Sequence, residues 1–373
     1  MASYHQMGHD SKNLLKETGL SRFSGAILSP VNETMGEMAR IVEHSPTETF
    51  EFIFDPQLYY PEYKKGCLTE WEYYPNDFDT ADMSSLAYWR TLNKTLVNTL
   101  ERLRPRAACS PAYVPRIFDN RYYERIIQIA DDFQGRAAEI NVETVFTLIV
   151  DLTELGQTSR VEEIASILTN HDFQRVFLVF NTEVRPREEL SDLDAIKGAI
   201  RLIGFLRGAG INVMVGFTSS DLLLWKAAGA NSCATGKFFN LRRFTKSRFK
   251  APSEGGGQVG YWFEEGLVTF LREPDLIRIR KAGLLPDAGN RGNPFETTIL
   301  DCLDNRPWLA LSWRQFLHWF SSIEDRLSHE PNAALELLER AERRWRNIRT
   351  NIPMDENRNN GSWLPIWRRA LGR

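Results

Sequence analysis

Short apolar runs alternate along this chain with longer stretches of helical periodicity, the pattern of repeated βα units around a parallel sheet. Seven runs stand out, at residues 25–29, 50–54, 106–110, 145–150, 176–180, 211–217 and 230–234. The fourth is almost continuously apolar, as a strand covered on both faces should be. Helical patterns fill the gaps at 33–44, 86–103, 122–133, 160–168 and 190–206; in the second, Leu92, Leu96, Leu100 and Leu103 recur at helical spacing. Ser219, Ser220 and Asp221 form an N-cap signal ahead of an apolar run at 222–228, with Asp221 the expected cap. Glycines at 208, 210 and 229 stop two helices and deliver the chain into the sixth and seventh runs. This grammar predicts a TIM-type (β/α)8 barrel. Its eighth strand is the weak point. Residues 258–262 would supply it, or the same region opens a helix through 263–271. An open, doubly wound sheet of seven strands is the alternative.

Two segments interrupt the alternation. Residues 59–82 carry Tyr59, Tyr60, Tyr63, Trp71, Tyr73 and Tyr74, too apolar for a linker, and read as an ordered excursion or lid. Residues 253–257 read as a flexible loop near the top of the barrel. From about Asn305 the strand signal stops, and 312–326, 332–349 and 363–371 read as amphipathic helices. The expected division is a barrel over 1–304 and a helical C-terminal extension over 305–373.

Composition narrows the classes. The chain has 373 residues, 42% hydrophobic and 25% charged, enough to bury a sizeable core. A net charge of -3 gives no global pull toward nucleic acid or membrane, so any anion site must be local. Cys67, Cys109, Cys233 and Cys302 show no C-x-x-C spacing and the six histidines no HExxH, so no metal site is expected. The cysteines read as reduced residues of a cytosolic protein; Cys233 lies near Lys237 in sequence, yet a structural role suits it better than a nucleophilic one. With no membrane-length apolar run and no signal-peptide core in residues 1–20, a cytoplasmic location is expected.

Barrel enzymes gather their reactive groups at the C-terminal ends of the strands. Reading just past each run gives Glu33, Asp55 and Gln57, Tyr113, Asp151, Asn181 and Glu183, and Lys237. Asp55 and Asp151 are the leading pair for acid, base or nucleophile, with Glu183 third; two carboxyls in one mouth would have their pKa values driven apart. Each alone is also an ordinary cap or turn residue. Against that reading, Pro56 follows Asp55 with no helix starting there, and Asp151 ends the most apolar run, where an unpaired charge is costly. Gln57, Tyr59, Tyr113 and Asn181 are candidate substrate contacts.

Residues 236–250 hold six cations (Lys237, Arg242, Arg243, Lys246, Arg248, Lys250), four Phe and no acid. The run follows the seventh strand, where barrels bind phosphate. Lys237, Arg242 and Arg243 are therefore candidate phosphate ligands. Cations interleaved with aromatics also suit single-stranded nucleic acid, while the plain alternative is a solvated helix with Phe packed inward. In the Arg-rich tail, Glu336, Glu339 and Glu342 are spaced to pair with Arg340, Arg343 and Arg346 on one helix.

In layout, strand-end carboxylates beside a cationic loop, the chain resembles the base-exchanging transglycosylases of the barrel class, which implies glycosidic-bond transfer; their cysteine–histidine zinc cluster has no counterpart here. The residues themselves point to a barrel enzyme, a transferase or hydrolase, acting on a nucleotide or nucleic acid. No motif names a cofactor. A non-catalytic barrel that binds nucleic acid, or a protein partner through its C-terminal helices, is the alternative, and a carboxylate metallohydrolase a third.

Overall fold

Eight parallel strands pair in sequence order and close on themselves. They are β1 (Ser3–Gln6), β2 (Gly25–Leu28), β3 (Glu51–Phe54), β4 (Ala107–Cys109), β5 (Glu143–Asp151), β6 (Arg175–Asn181), β7 (Asn212–Val215) and β8 (Ser232–Thr235). This computed structural model describes residues 3–17, 20, 22–44, 47–75, 77, 79, 81–249, 259–330, 332–355 and 359–372. The fold is a TIM-type barrel, and β2 to β8 fall on the seven apolar runs.

The closing strand corrects the sequence reading. It is β1, not residues 258–262: Tyr4 pairs with Gly25 on one side and Ala234 on the other. The sequence Ser-Tyr-His-Gln shows no apolar run, yet all four residues are buried. Two of them, Tyr4 and Gln6, find polar partners inside the barrel, while the His5 ring is buried with no hydrogen-bond partner among the described residues. The Tyr4 hydroxyl donates to Glu51 Oε2 (2.5 Å), and Gln6 Oε1 accepts from the Phe217 N–H (2.6 Å). Of the expected strand, Gln258 lies outside the described residues, and Trp262 opens an antiparallel hairpin of β9 (Trp262–Glu264) and β10 (Thr269–Leu271). The β1–β8 pairing also removes the open-sheet alternative.

Six helices follow β2 to β7 in turn: α1 (Met35–Glu43), α2 (Leu86–Leu103), α3 (Asn120–Glu139), α4 (Thr158–Thr169), α5 (Leu193–Gly208) and α6 (Leu222–Ala227). Their starts are chemically marked. Thr34 and Glu37 form a capping box on α1, while Ser85, Asp119 and Asp192 accept backbone N–H bonds at α2, α3 and α5. Past the ends of α5 and α6, Gly210 (φ +83°) and Gly229 (φ +97°) take the left-handed turn that a side chain would strain. Asp221 differs from expectation. It sits at the N-cap position of α6 but makes no cap bond, and spends its carboxylate on Arg243 (3.1 Å) and the Ser219 N–H.

Five more helices follow: α7 (Glu273–Lys281), α8 (Glu296–Cys302), α9 (Leu309–His329), α10 (Ala333–Asn351) and α11 (Leu364–Ala370). The long α9 packs on β1, β8 and α6, the place of the helix that follows an eighth strand. Lys226 Nζ of α6 meets Glu324 Oε1 of α9 at 2.9 Å, both side chains almost fully buried. Two acids of α10 reach beyond their own helix, where the spacing suggested partners within it. Glu339 and Glu342 both turn to Arg368 of α11, at 3.5 and 2.6 Å. Tail residues Glu356, Arg358 and Arg373, like Lys250 and the 253–257 loop, lie outside the described residues. Among the described residues no helix is long and apolar enough to cross a membrane.

The barrel has a polar floor and an aromatic plug. At the strand starts Arg175 forms a two-pronged bond to Glu51 (2.7 and 3.0 Å) and a third bond to Glu143 (3.0 Å), with the Tyr4 hydroxyl on Glu51. Burial alone would raise the Glu51 carboxyl. The Arg175 fork and the Tyr4 hydroxyl reverse this and hold it below its ordinary value. Towards the strand ends, Phe177, Phe217, Phe244 and Tyr59 meet edge to face or tilted, with ring centres 5.0–6.4 Å apart. The lumen is a packed core, not a channel.

Candidate functional site

The mouth at the C-terminal strand ends holds a cavity of about 820 Å³. Residues following β1 (Gly8, His9), β2 (Ser29, Asn32), β3 (Gln57, Tyr60, Tyr63, Lys65), β6 (Arg187) and β8 (Lys237 to Arg242) line it, with Trp313 from the first turns of α9. It is therefore off-centre, toward the seam where β8 meets β1. From the 59–82 excursion, Tyr60, Tyr63, Lys65 and Leu68 form a wall of this cavity. Trp71 Nε1 donates to the Pro30 and Glu33 carbonyls, the Tyr73 hydroxyl to that of Pro56 and the Tyr74 hydroxyl to that of Pro61.

The charge on this lining is one-sided. Lys65, Arg187, Lys237, Arg242, Arg248 and Arg272 all border the cavity, and no Asp or Glu does among the described residues. Lys237 is 4% exposed; its ammonium lies 4.8 and 4.9 Å from the ring centres of Phe238 and Trp313 and donates to the Asp10 carbonyl. Arg242, equally buried, stacks 3.7 Å from the Phe316 ring centre and donates to the Gly236 and Lys237 carbonyls. Arg248 lies over Phe217 at 4.5 Å, and its carbonyl accepts from Lys65 Nζ at 2.5 Å. Its Nε and Nη1 are buried with no hydrogen-bond partner among the described residues. Burial lowers the pKa of Lys65, Lys237 and Arg242 and brings that of Arg248 down to about 10. Lys65 is lowered further by the charge of Arg248. Each cation would gain from an anion beside it.

The candidate residues from the sequence separate into groups. Gln57, Lys237 and Arg242 line the cavity. Asp55 lies beneath it, 1% exposed, accepting from the Gln57 N–H (2.9 Å), Gln57 Nε2 (3.3 Å) and the buried Tyr59 hydroxyl (2.8 Å). These bonds hold Gln57 at φ +54°, a left-handed backbone that costs a non-glycine residue about 1 kcal/mol or more. Asp151 and Asn181 bond to each other (3.0 Å), and Asp151 also accepts from the Thr153 N–H, as a turn-former does. Both stand outside the cavity lining, as do exposed Glu183 and Tyr113, which stacks on Trp89. Arg243 is turned away onto Asp221 and the Glu188 carbonyl.

Lys65, Arg187, Arg272 and the ring of Trp313 were not singled out from the sequence. Their convergence depends on a hairpin, a helix and two loops far apart in the chain. Arg248 was visible in the basic run but unranked.

Burial pushes the Asp55 carboxyl up to about 6, against the bonds from Gln57 and Tyr59 and the charge of Arg248, which pull it down. A raised carboxyl favours the folded state most below its unfolded value near 3.8, and that contribution fades as pH rises through 6. Wild type should therefore lose roughly 1–3 kcal/mol between pH 4 and pH 7 that Asp55→Asn does not lose. Thermal melts of both proteins at the two pH values measure it, and parallel pH profiles would contradict it.

Fold and site together define an eight-stranded parallel barrel with a cation-lined mouth. No family model and no curated protein matches the sequence. Solved structures that resemble it include type I 3-dehydroquinate dehydratase from Clostridium difficile (11% identity, 66% of this chain and 89% of that one, TM-score 0.36). Others are triosephosphate isomerase from Bartonella henselae (9%, 63% and 92%, 0.37) and a family 2 AP endonuclease from Brucella melitensis (11%, 63% and 92%, 0.34). Likenesses this low carry no argument about chemistry. Among the described residues no group of three His, Cys, Asp or Glu comes together as a metal set.

Proposed function

We propose that this barrel is an enzyme that takes a phosphate-bearing small molecule, of nucleotide size, into its mouth. The observation that carries this reading is the cavity lining, six cations and no acid among the described residues. Its volume of about 820 Å³ is that of a small-molecule site, which favours a nucleotide over a nucleic-acid strand. Lys237 is the central anion ligand, at the strand-eight position where barrels hold phosphate. Asp55, with its pKa of about 6 close to working pH, is the proton acceptor for a substrate whose acidic group displaces the Gln57 amide from it and bonds the carboxylate directly. A single enclosed carboxyl suits proton transfer better than the two-carboxylate chemistry of glycosidic-bond transfer.

The lack of an acid on the described lining favours one other reading, binding without turnover. The two readings share the anion site, which is tested first. Orthophosphate should raise the melting temperature of wild type in proportion to RT ln(1 + [L]/Kd). Lys237→Met should weaken phosphate binding by about 10–100-fold, the worth of a charge-assisted bond. An unchanged phosphate response in Lys237→Met would remove the site. Once a substrate is found, Asp55→Asn separates the two readings, since it stops turnover in the first and spares ligand affinity in both.

A further inference from the structure

Four cations of the mouth lie on rings rather than on carboxylates among the described residues. Lys65, Lys237, Arg242 and Arg248 form no carboxylate ion pair among the described residues. They lie instead on aromatic faces, in three groups. Lys65 and Arg248 sit on Phe249, 6.0 and 5.0 Å from its ring centre, beside Tyr60. Lys237 sits between Phe238 and Trp313. Arg187 and Arg242 share Phe239, at 6.0 and 5.0 Å, and the Arg187 guanidinium also bonds the Tyr261 hydroxyl.

The distinction matters electrostatically. A carboxylate partner cancels a cation's charge, while a ring face fixes the cation in place and leaves its formal charge for something else. Lys65, Lys237, Arg242 and Arg248 border one cavity with no carboxylate ion pair among the described residues, more charge than one phosphoryl group can meet. The net charge of the whole chain is -3, so this concentration of positive charge is local to the cavity. Placing it there costs desolvation that an anionic partner offsets.

Building on the phosphate-binding reading above, we propose that the ligand of this cavity carries a linear chain of two or more phosphoryl groups, as a nucleoside di- or triphosphate does. Its phosphoryl groups spread from Lys237 toward the Lys65–Arg248 and Arg187–Arg242 groups, and Tyr60 and Tyr63 offer faces for a planar ring.

The test is calorimetric titration of the full chain at one fixed ionic strength with orthophosphate, pyrophosphate, tripolyphosphate, adenosine monophosphate and adenosine triphosphate. Affinity should rise about ten-fold or more from orthophosphate to tripolyphosphate, as additional charge-assisted bonds form. Lys65→Gln should weaken tripolyphosphate by about ten-fold and orthophosphate by less than three-fold, because Lys237 still holds one phosphoryl group. Adenosine triphosphate binding tighter than tripolyphosphate assigns the ligand as a nucleotide, and equal affinities assign it as a bare polyphosphate chain. If orthophosphate binds as tightly as tripolyphosphate, this inference falls and the phosphate site stands. If no phosphate species binds, both fall.

Discussion

Replacing Glu51 by alanine should destabilise the barrel by about 3–5 kcal/mol, the usual loss when one partner of a buried ion pair is removed. Glu51 closes the floor. Its carboxylate takes both prongs of the Arg175 guanidinium and the Tyr4 hydroxyl, and it binds β1, β3 and β6 together. Without it, Arg175 keeps Glu143 alone among the described acids, a half-exposed partner, and the Tyr4 hydroxyl is left buried without its acceptor. Acid should mimic the substitution in part. The folded pKa of Glu51 lies below its ordinary 4.5, so its contribution is intact above that value and lost as pH falls through the folded one. Thermal or urea unfolding of Glu51→Ala at pH 7, with wild type from pH 6 down to pH 3, measures both effects. A Glu51→Ala midpoint equal to wild type would show that the floor network contributes nothing net.

Lys226→Met should cost a similar 3–5 kcal/mol, by leaving the Glu324 carboxyl without its partner inside the α6–α9 interface. Burial already raises the Glu324 carboxyl, with Lys226 the main influence lowering it, so in the variant Glu324 should take up a proton rather than stay charged. The double variant Lys226→Met with Glu324→Leu should recover at least half of the loss, because two apolar side chains of similar volume replace the pair. A double variant as unstable as the single one would mean that the damage lies in packing and not in the unpaired carboxyl. Because α9 covers both β1 and β8, the same variants should loosen the barrel seam, read as faster hydrogen exchange in β1 than in β5.

The strands that could be read from the sequence are those whose burial is written in apolar residues. β5 and β6 are packed on both faces, and their runs of Val, Ile, Leu and Phe leave no other account. β1 hides because its inward positions, Tyr4 and Gln6, pair with polar groups brought from β3 and from the turn after β7. No local pattern announces those partners. The hairpin at 262–271 carries the same Trp and Phe that mark a strand, and parallel or antiparallel pairing is not a local property. Lys237 and Arg242 could be placed because a basic run directly after a strand lands at the mouth wherever a barrel exists. Arg243, one residue on, points elsewhere, and only the position of Asp221 decides that. Asp55 and Asp151 looked alike as strand-end acids. They part because Tyr59 covers the first, while the second lies at the open end of β5.

The pairing of Ser3 with Cys233 sets a timetable for synthesis. The first strand leaves the ribosome early, and its second neighbour is translated only after the other six strands. At roughly 5–20 residues per second, that edge stays unmatched for roughly ten to fifty seconds. A sheet that pairs as it emerges has a bare margin at each side through that interval, a form prone to stick to its neighbours on a polysome. The seam beside the cation-lined cavity is thus the last part of the barrel to be made.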